Sequence, residues 1–442
     1  MKKLIVLVMM LALVPIGNAI AQINPKLQAK LEQQAKEIET KMIAWRRHFH
    51  EFPELSNREN NTGKFIADHL KSLGLEVQYP VSKTGVVALL KGPKPGPVIA
   101  LRADIDALPV TERNSLPFAS KVKTNFNGLE TGVMHACGHD SHIAILMAVA
   151  EILSKDKADL KGTVKFIFQP AEEGAPAGEE GGAALMVKDG VLDNPKVDVI
   201  FGLHIQSMRP VGTIGYKAGG MMAAVDNFSV KVKGVQSHGA APWMGVDPIV
   251  ISSEIILGLQ TIVSRQLELT KEAAVITVGR FNSGIRENII PEEANFSGTI
   301  RSLDAGMQDK IHEKIKLTAE KIAEASGATA EVTIRRGYPV TYNDPALTAK
   351  MVGSLNRAAG ADHVMDIDAV TGAEDFSFFQ KSVPGLFFFV GAMPPDADPN
   401  KVASHHTPDF FIDERGFLTG LKAMLNVTVD YMYAQQVTVP KK

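Results

Sequence analysis

Two rhythms of apolar and polar positions run along this chain, one with a helical period and one with the short continuous runs of buried strands. Residues 26–52 repeat with helical spacing and carry a mixed-charge outer face, and residues 62–73 predict a second helix that stops at Gly74. Compact apolar runs then alternate with helical stretches. Val98–Leu101 leads into Arg102-Ala103-Asp104, and Ile143–Leu153 is helical. Val164–Phe168 leads into Gln169-Pro170, Gly182–Val187 is helical, and Val199–Leu203 ends at His204. Much later come a strand at Leu386–Val390 and a closing helix at Arg415–Tyr433. Buried strands alternating with helices indicate an α/β domain with a mostly parallel sheet.

The stretch 222–335 has a different pattern. Phe228–Val232 alternates like a half-buried strand, and Pro248–Glu268 reads as one long helix. Ala274–Val278 and Ala294–Ile300 are strands, Asp304–Ser326 is a helix stopped by Gly327, and Ala330–Ile334 is a last strand. The order β-α-β-β-α-β is that of a ferredoxin-like α+β unit. It predicts a domain over 219–336 inserted into a larger one made of 22–218 and 337–442. With 442 residues, two domains are also what length alone suggests.

Charge and cysteine content narrow the function. The formal net charge is −2, and losing Lys2 and Lys3 with the leader described next takes it to about −4. A near-neutral chain without basic runs offers no footprint for nucleic acid. The sequence holds no P-loop and no G-x-G-x-x-G after a strand. Residues 1–21 read as an export signal: Lys2 and Lys3, the apolar run Leu4–Val14, then the small-x-small site Ala19-Ile20-Ala21 before Gln22. Eleven apolar residues fall short of the roughly 20 that a membrane-spanning helix needs. The expectation is therefore an exported protein, periplasmic or secreted, with no membrane attachment after cleavage. Cys137 is the one cysteine, so no internal disulfide is available. It is a buried filler, a reactive thiol or a metal ligand.

Four short segments carry candidate chemistry. Cys137-Gly138-His139 offers a thiolate and an imidazole two residues apart, good donors for zinc and similar ions. Gln169-Pro170-Ala171-Glu172-Glu173 places adjacent carboxylates after a strand, where they repel unless a cation compensates. Their side chains point different ways, so one can bind metal while the other takes a proton from water. His204 and Ser404-His405-His406-Thr407-Pro408 complete the set. Taken singly, the acidic pair reads better as a solvated loop and each histidine better as structural than as ligating, and Cys-x-His alone is a weak signal. Jointly, Cys137, His139, Glu173, His204 and His406 fall at or just beyond strand ends, where α/β sheets collect their sites. Five donors exceed one tetrahedral zinc and suit two ions sharing a bridging group. Asp104, Asp106 and Asp140 are candidate outer carboxylates that orient the histidines, with turn or helix capping as the alternative. In the inserted stretch, Gln236-Ser237-His238-Gly239, Asn288 and Arg301 offer polar donors for a substrate carboxylate or a developing oxyanion, but from the residues alone the reading as a solvated turn and a surface arginine wins for each.

These motifs together resemble the aminoacylase and carboxypeptidase-like metallopeptidases, in the amidohydrolase branch that includes hippurate hydrolase, N-acyl-L-amino-acid amidohydrolase and indole-acetyl-amino-acid hydrolase. The resemblance runs from about Trp45 to Tyr433. It is carried also by Arg46-Arg47-His48-Phe49-His50-Glu51-Phe52-Pro53-Glu54-Leu55-Ser56, by Arg102-Ala103-Asp104-Ile105-Asp106-Ala107-Leu108-Pro109 and by Thr371-Gly372-Ala373-Glu374-Asp375-Phe376. It implies a catalytic domain holding two divalent ions (zinc, manganese, cobalt or nickel) and a smaller lid that often dimerises. It implies Cys137, His139, Glu173, His204 and His406 as ligands and Glu172 as general base. It implies His238 as a transition-state donor, sometimes from the partner subunit, and Asn288 and Arg301 at the substrate carboxylate. The implied reaction is hydrolysis of N-acyl amino acids, with a dipeptidase or carboxypeptidase on the same site as the alternative. The wider family's peptidases carry His-x-Asp where this chain has Arg102-Ala103-Asp104, which favours the amidohydrolase branch. The final ligand sits in a His405-His406 pair; the match to His-[Ser/Thr]-Pro selects His406, with His405 as the substitute.

Overall fold

The computed structural model describes residues 25–434, so the expected leader at 1–21 lies outside the described residues. Helix α1 (Pro25–Glu51) buries Leu27, Leu31, Ala35, Ile38, Met42, Trp45 and Phe49, a stripe at three- and four-residue spacing. Helix α2 (Asn60–Ser72) follows and ends at Gly74, whose φ of 78° suits a helix stop. Strands β1 (Glu76–Val81), β2 (Gly85–Lys91) and β3 (Lys94–Asp104) precede helix α3 (His139–Lys155). Then come β4 (Lys161–Gln169), α4 (Gly182–Lys188), β5 (Val199–Pro210) and β6 (Ile214–Tyr216).

The chain next builds a second, smaller unit from β7 (Ala224–Lys233), α5 (Pro248–Thr261), β8 (Ala274–Ser283), β9 (Glu293–Ser302), α6 (Ala305–Ala325) and β10 (Thr329–Arg336). It returns through α7 (Pro345–Ala359), β11 (Val364–Asp366), β12 (Gly385–Met393) and α8 (Phe417–Ala434).

The large sheet has the order β1-β2-β4-β3-β5-β12-β6-β11. Its centre, β4-β3-β5-β12, is parallel, and antiparallel pairings lie toward both sides. Alternate residues face opposite layers. Ile99, Leu101, Phe166 and Phe388 join one core with α1, α3 and α8, while Ala100, Ile167, Phe387 and Phe389 join another with Ala183 and Met186 of α4. The small unit is an antiparallel sheet β8-β9-β7-β10 with its own core, in which Phe228, Val230 and Phe296 meet Ile255, Ile311 and Ile315.

Four elements differ from expectation in ways that matter for the site. Strand β5 runs on to Pro210, so His204 lies inside it, opposite Phe389, rather than at its end. A buried, hydrogen-bonded histidine does not stop a strand. Helix α3 starts at His139, a turn before its apolar period begins, because His139, Asp140, Ser141 and His142 are all buried polar residues. The long helix from Pro248 becomes a π-helical turn at Ile262–Gln266. Helix α7, capped by the Asp344 side chain, has no counterpart among the expected elements.

Candidate metal centre

Three loops and one strand meet beyond the carboxyl ends of the central parallel strands. Gly138, with φ 92°, turns the chain from Cys137 into α3, and a Cβ there would lie 2.3 Å from Ile205 Cγ2. That turn aims Cys137 and His139 at one spot. The loop after β4 adds Glu172 and Glu173, β5 adds His204, and the loop after β12 adds His405 and His406. Cys137 Sγ lies 3.4 Å from His204 Nε2 and 3.3 Å from His406 Nε2. Glu173 Oε1 lies 3.1 Å from His406 Nε2 and 3.9 Å from His139 Nε2. The structure thus brings all five expected donors together.

The histidine tautomers are set from behind. His139 Nδ1 faces the Asp106 carbonyl at 2.9 Å and its carboxylate at 3.2 Å, which turns Nε2 towards Glu173. His204 Nδ1 donates to the Ile205 carbonyl at 2.6 Å, which leaves the Nε2 lone pair for Cys137's side of the cluster. Burial, with His142 and His405 nearby, holds His204 well below its ordinary pKa, in the neutral form that ligates metal. His405 differs: its Nε2 accepts from Ser207 N at 3.3 Å, so its proton sits on Nδ1, which faces Cys137 at 3.7 Å. Burial and His406 lower its pKa to about 3. A neutral ring in that tautomer shows no lone pair to the cluster. His406 instead turns its Nε2 to Cys137 Sγ and Glu173 Oε1, from a backbone held at φ 64°.

The donor set fits metal. His139 Nε2 is buried with no hydrogen-bond partner, although a buried polar atom ordinarily has one. Burial and the carboxylates of Glu173 and Glu172 push the Cys137 thiol well above its ordinary range, a cost that a cation among these groups reverses. Cys137, His139 and Glu173 form one donor group and Cys137, His204 and His405 a second, while His406 joins through its contacts with Cys137 Sγ and Glu173 Oε1. A second histidine on α3, His142, is spent otherwise: Nδ1 meets Asp104 at 2.5 Å and Nε2 accepts from Ile205 N at 2.9 Å.

Of the three candidate outer carboxylates, Asp106 orients His139 directly, and Asp104 acts chiefly on His142. Asp140 bonds none of the donors. It faces Arg46 at 2.9 Å and His50 at 2.7 Å, pinning α3 to α1. The reason is direction: one residue further along the helix from His139, its side chain points to the α1 side.

Behind Glu172 lies a group that the motifs contained but that residue-by-residue reading did not single out. Arg102, fully buried on β3, bonds Gln169 at 2.7 Å, Asp104 at 2.7 Å, and Glu374 and Asp375 at 2.9 Å each. Asp375 N approaches Glu172 Oε1 at 3.4 Å. Burial and the carboxylates of Glu374, Glu173 and Asp375 push Glu172 well above the ordinary carboxylate range. An arginine inside an apolar strand was the available signal, because a buried guanidinium requires buried acids.

The three expected residues of the second unit are held by that unit's own strands and turns. His238 pairs across a short ladder with Ile289, next to Asn288, and is exposed. Arg301 stands on β9, opposite Val225 and Val275. Among the described residues no hydrogen bond or ion pair joins these three to the donor cluster.

The chain matches the family described as Peptidase family M20/M25/M40 over residues 100–429. It is 40% identical to thermostable carboxypeptidase 1 of Saccharolobus solfataricus, covering 88% of this chain and 94% of that one. It is 39% identical to N-acetyl-L-cysteine deacetylase of Bacillus subtilis, covering 86% of each. A solved structure of a dinuclear metal-binding peptidase of the M20 family from Bacillus subtilis superposes with a TM-score of 0.74 at 37% identity, covering 90% of this chain and 99% of that one.

Proposed function

The chain belongs to peptidase family M20/M25/M40, and on that premise we propose that it is a metal-dependent amidohydrolase that cleaves the amide bond of N-acyl amino acids. The observation that carries this is the convergence of Cys137, His139, Glu173, His204 and His406, with the buried Nε2 of His139 left without a partner, beside the separate carboxylate of Glu172. The relatives' names agree at the level of the bond. A deacetylase acting on N-acetyl-L-cysteine and a carboxypeptidase both cut an amide whose nitrogen belongs to an amino acid with a free carboxylate.

Cys137, His139, Glu173, His204 and His406 would hold two divalent cations. When bound, such ions acidify the attacking water and polarise the amide carbonyl. Glu172 takes the proton from that water and returns it to the leaving nitrogen as the C–N bond breaks. A carboxylate whose pKa is raised by its surroundings suits both halves of that exchange. Arg102 keeps Glu374 and Asp375 paired, so their charge is not left bare against Glu172. His238 would donate to the oxygen of the tetrahedral intermediate, a contact typically worth about 2.7–4 kcal/mol of barrier. Asn288 and Arg301 would hold the substrate carboxylate.

Because His238 is exposed and, among the described residues, bonds none of the donors, the second unit would act as a lid that closes or as a dimerisation unit whose partner copy supplies His238. Its surface supports a second copy: the helical segment Pro248–Gln266 is apolar and only 33% buried, and Trp243, Met244, Val250 and Leu257 are exposed beside it. We also propose that the protein is exported, to the periplasm or outside the cell, with cleavage before Gln22; N-terminal sequencing of the fractionated protein tests this.

The test of function is a turnover screen on metal-loaded protein. N-acetyl and N-benzoyl amino acids should be hydrolysed, and free dipeptides at least about tenfold more slowly in kcat/KM. Preference for free dipeptides would install the dipeptidase reading, and inactivity with zinc, manganese, cobalt and nickel would remove the enzyme assignment.

A further inference from the structure

The loop that carries Glu172 is sharply bent, with φ of 54° at Ala171 and 105° at Gly174. Three hydrogen bonds from outside the loop hold its backbone at Ala171, Glu172 and Glu173. Glu59 accepts from Ala171 N at 2.9 Å, Asp106 accepts from Glu173 N at 3.0 Å, and the Tyr338 hydroxyl donates to the Glu172 carbonyl at 2.7 Å. The first two come from the large unit. Tyr338 comes from the outgoing connection of the small unit, two residues past β10.

That connection is firmly tied to the small unit. Val225 N donates to the Tyr338 carbonyl at 3.0 Å, and Gly337 N donates to the Val225 carbonyl and to Asp226 Oδ1, each at 3.0 Å. Asp226 is buried and in turn meets Gln308 at 2.7 Å and His312 at 2.5 Å, both on α6. A continuous run of hydrogen bonds therefore leads from α6 through the paired incoming and outgoing strands to the backbone of Glu172. The Tyr338 ring itself rests edge-on against Phe378, 6.0 Å between centroids, so its direction is fixed.

We infer that Tyr338 is a positioning residue, whose hydroxyl ties the Glu172 backbone, and so the general base, to the placement of the small unit. The inference rests on the amidohydrolase reading and on Glu172 as its base. The hydroxyl is the atom that separates this role from plain packing, because phenylalanine keeps the ring and loses the tie.

Tyr338→Phe should lower kcat about five- to tenfold, the factor one lost neutral hydrogen bond supplies, with KM and metal content within about twofold of the parent. In a Glu172→Gln background it should cost nothing more. In the metal-free protein, amide exchange of the peptide around 169–175, read by mass spectrometry, should quicken about fivefold or more, with β7 and β9 unchanged. Unchanged kcat overturns the inference, as does unchanged exchange in that peptide, or a fall in kcat that tracks lost metal. Asp226→Asn cuts the same run of bonds further out and should quicken the same peptide, so the tie stays testable if Tyr338→Phe does not fold. If the parent protein hydrolyses no N-acyl amino acid, the amidohydrolase reading fails, and the exchange measurement alone then decides the tie.

Discussion

Glu172 and Glu173 are neighbours in sequence and differ in what surrounds them. Glu173 turns Oε1 to His139 and His406, whereas Glu172 sits among Glu374, Asp375 and the Arg102 guanidinium. Glu172→Gln should therefore keep both metals and lose turnover by a factor of about a thousand or more; a variant with near-parental kcat would strip Glu172 of its role as base. Cys137→Ser should release at least one of the two ions on dialysis, measured by elemental analysis, since a neutral hydroxyl replaces a thiolate at the centre of the cluster. Full occupancy would place Cys137 outside the site. The histidine pair divides in the same experiment: His406→Asn should lose metal, while His405→Asn, which removes the ring held by Ser207 N, should keep it. The opposite result would exchange their roles.

The elements that carry these residues were legible to different degrees. Strand β4 and its acidic loop could be read because an apolar run simply ends in polar residues. The start of α3 could not, because its first turn consists of His139, Asp140, Ser141 and His142, whose burial is made possible by partners distant in sequence. His204 was misplaced to a strand end for the same reason: periodicity records apolar contacts and not buried polar pairs. The donor set came through motif spacing, whereas Arg102's four partners, Asp140's turn away from the donors and the Tyr338 contact depend on side-chain direction, which spacing does not encode. Asp140 makes a prediction about α1. Burial alone would raise its pKa, but Arg46 and then His50 outweigh that and hold it below the ordinary carboxylate range. Its stabilising contribution is thus present above the unfolded value of about 3.9 and is lost as pH falls through the depressed folded value. Arg46→Met strips a fully buried charge of its partner and should cost roughly 3 kcal/mol or more in urea unfolding of the metal-free protein. A loss below about 1 kcal/mol would show that His50 alone suffices for Asp140.

At the scale of the whole molecule, the donors and Glu172 belong to the large unit and His238 to the small one, and among the described residues no hydrogen bond or ion pair joins His238 to them. A complete site then needs either closure within one chain or a contribution from a second chain. The two cases differ in how they respond to mixing. His238→Ala and Glu172→Gln should each be inactive. If His238 acts across a dimer, a mixed pair of these variants contains one site with Glu172 from one copy and His238 from the other. Equal amounts, allowed to exchange subunits, should recover about a quarter of parental activity, since half of the pairs are mixed and each has one intact site. If closure within one chain supplies His238, mixing restores nothing, whatever the oligomeric state. A sizing measurement beside it sharpens the reading: a monomer at the assay concentration that still turns over substrate would leave the apolar face of Pro248–Gln266 unexplained by pairing and would place His238's contribution within its own chain. Recovery of activity would make that face part of the catalytic apparatus, because the contact that covers it would also deliver the donor that the large unit lacks.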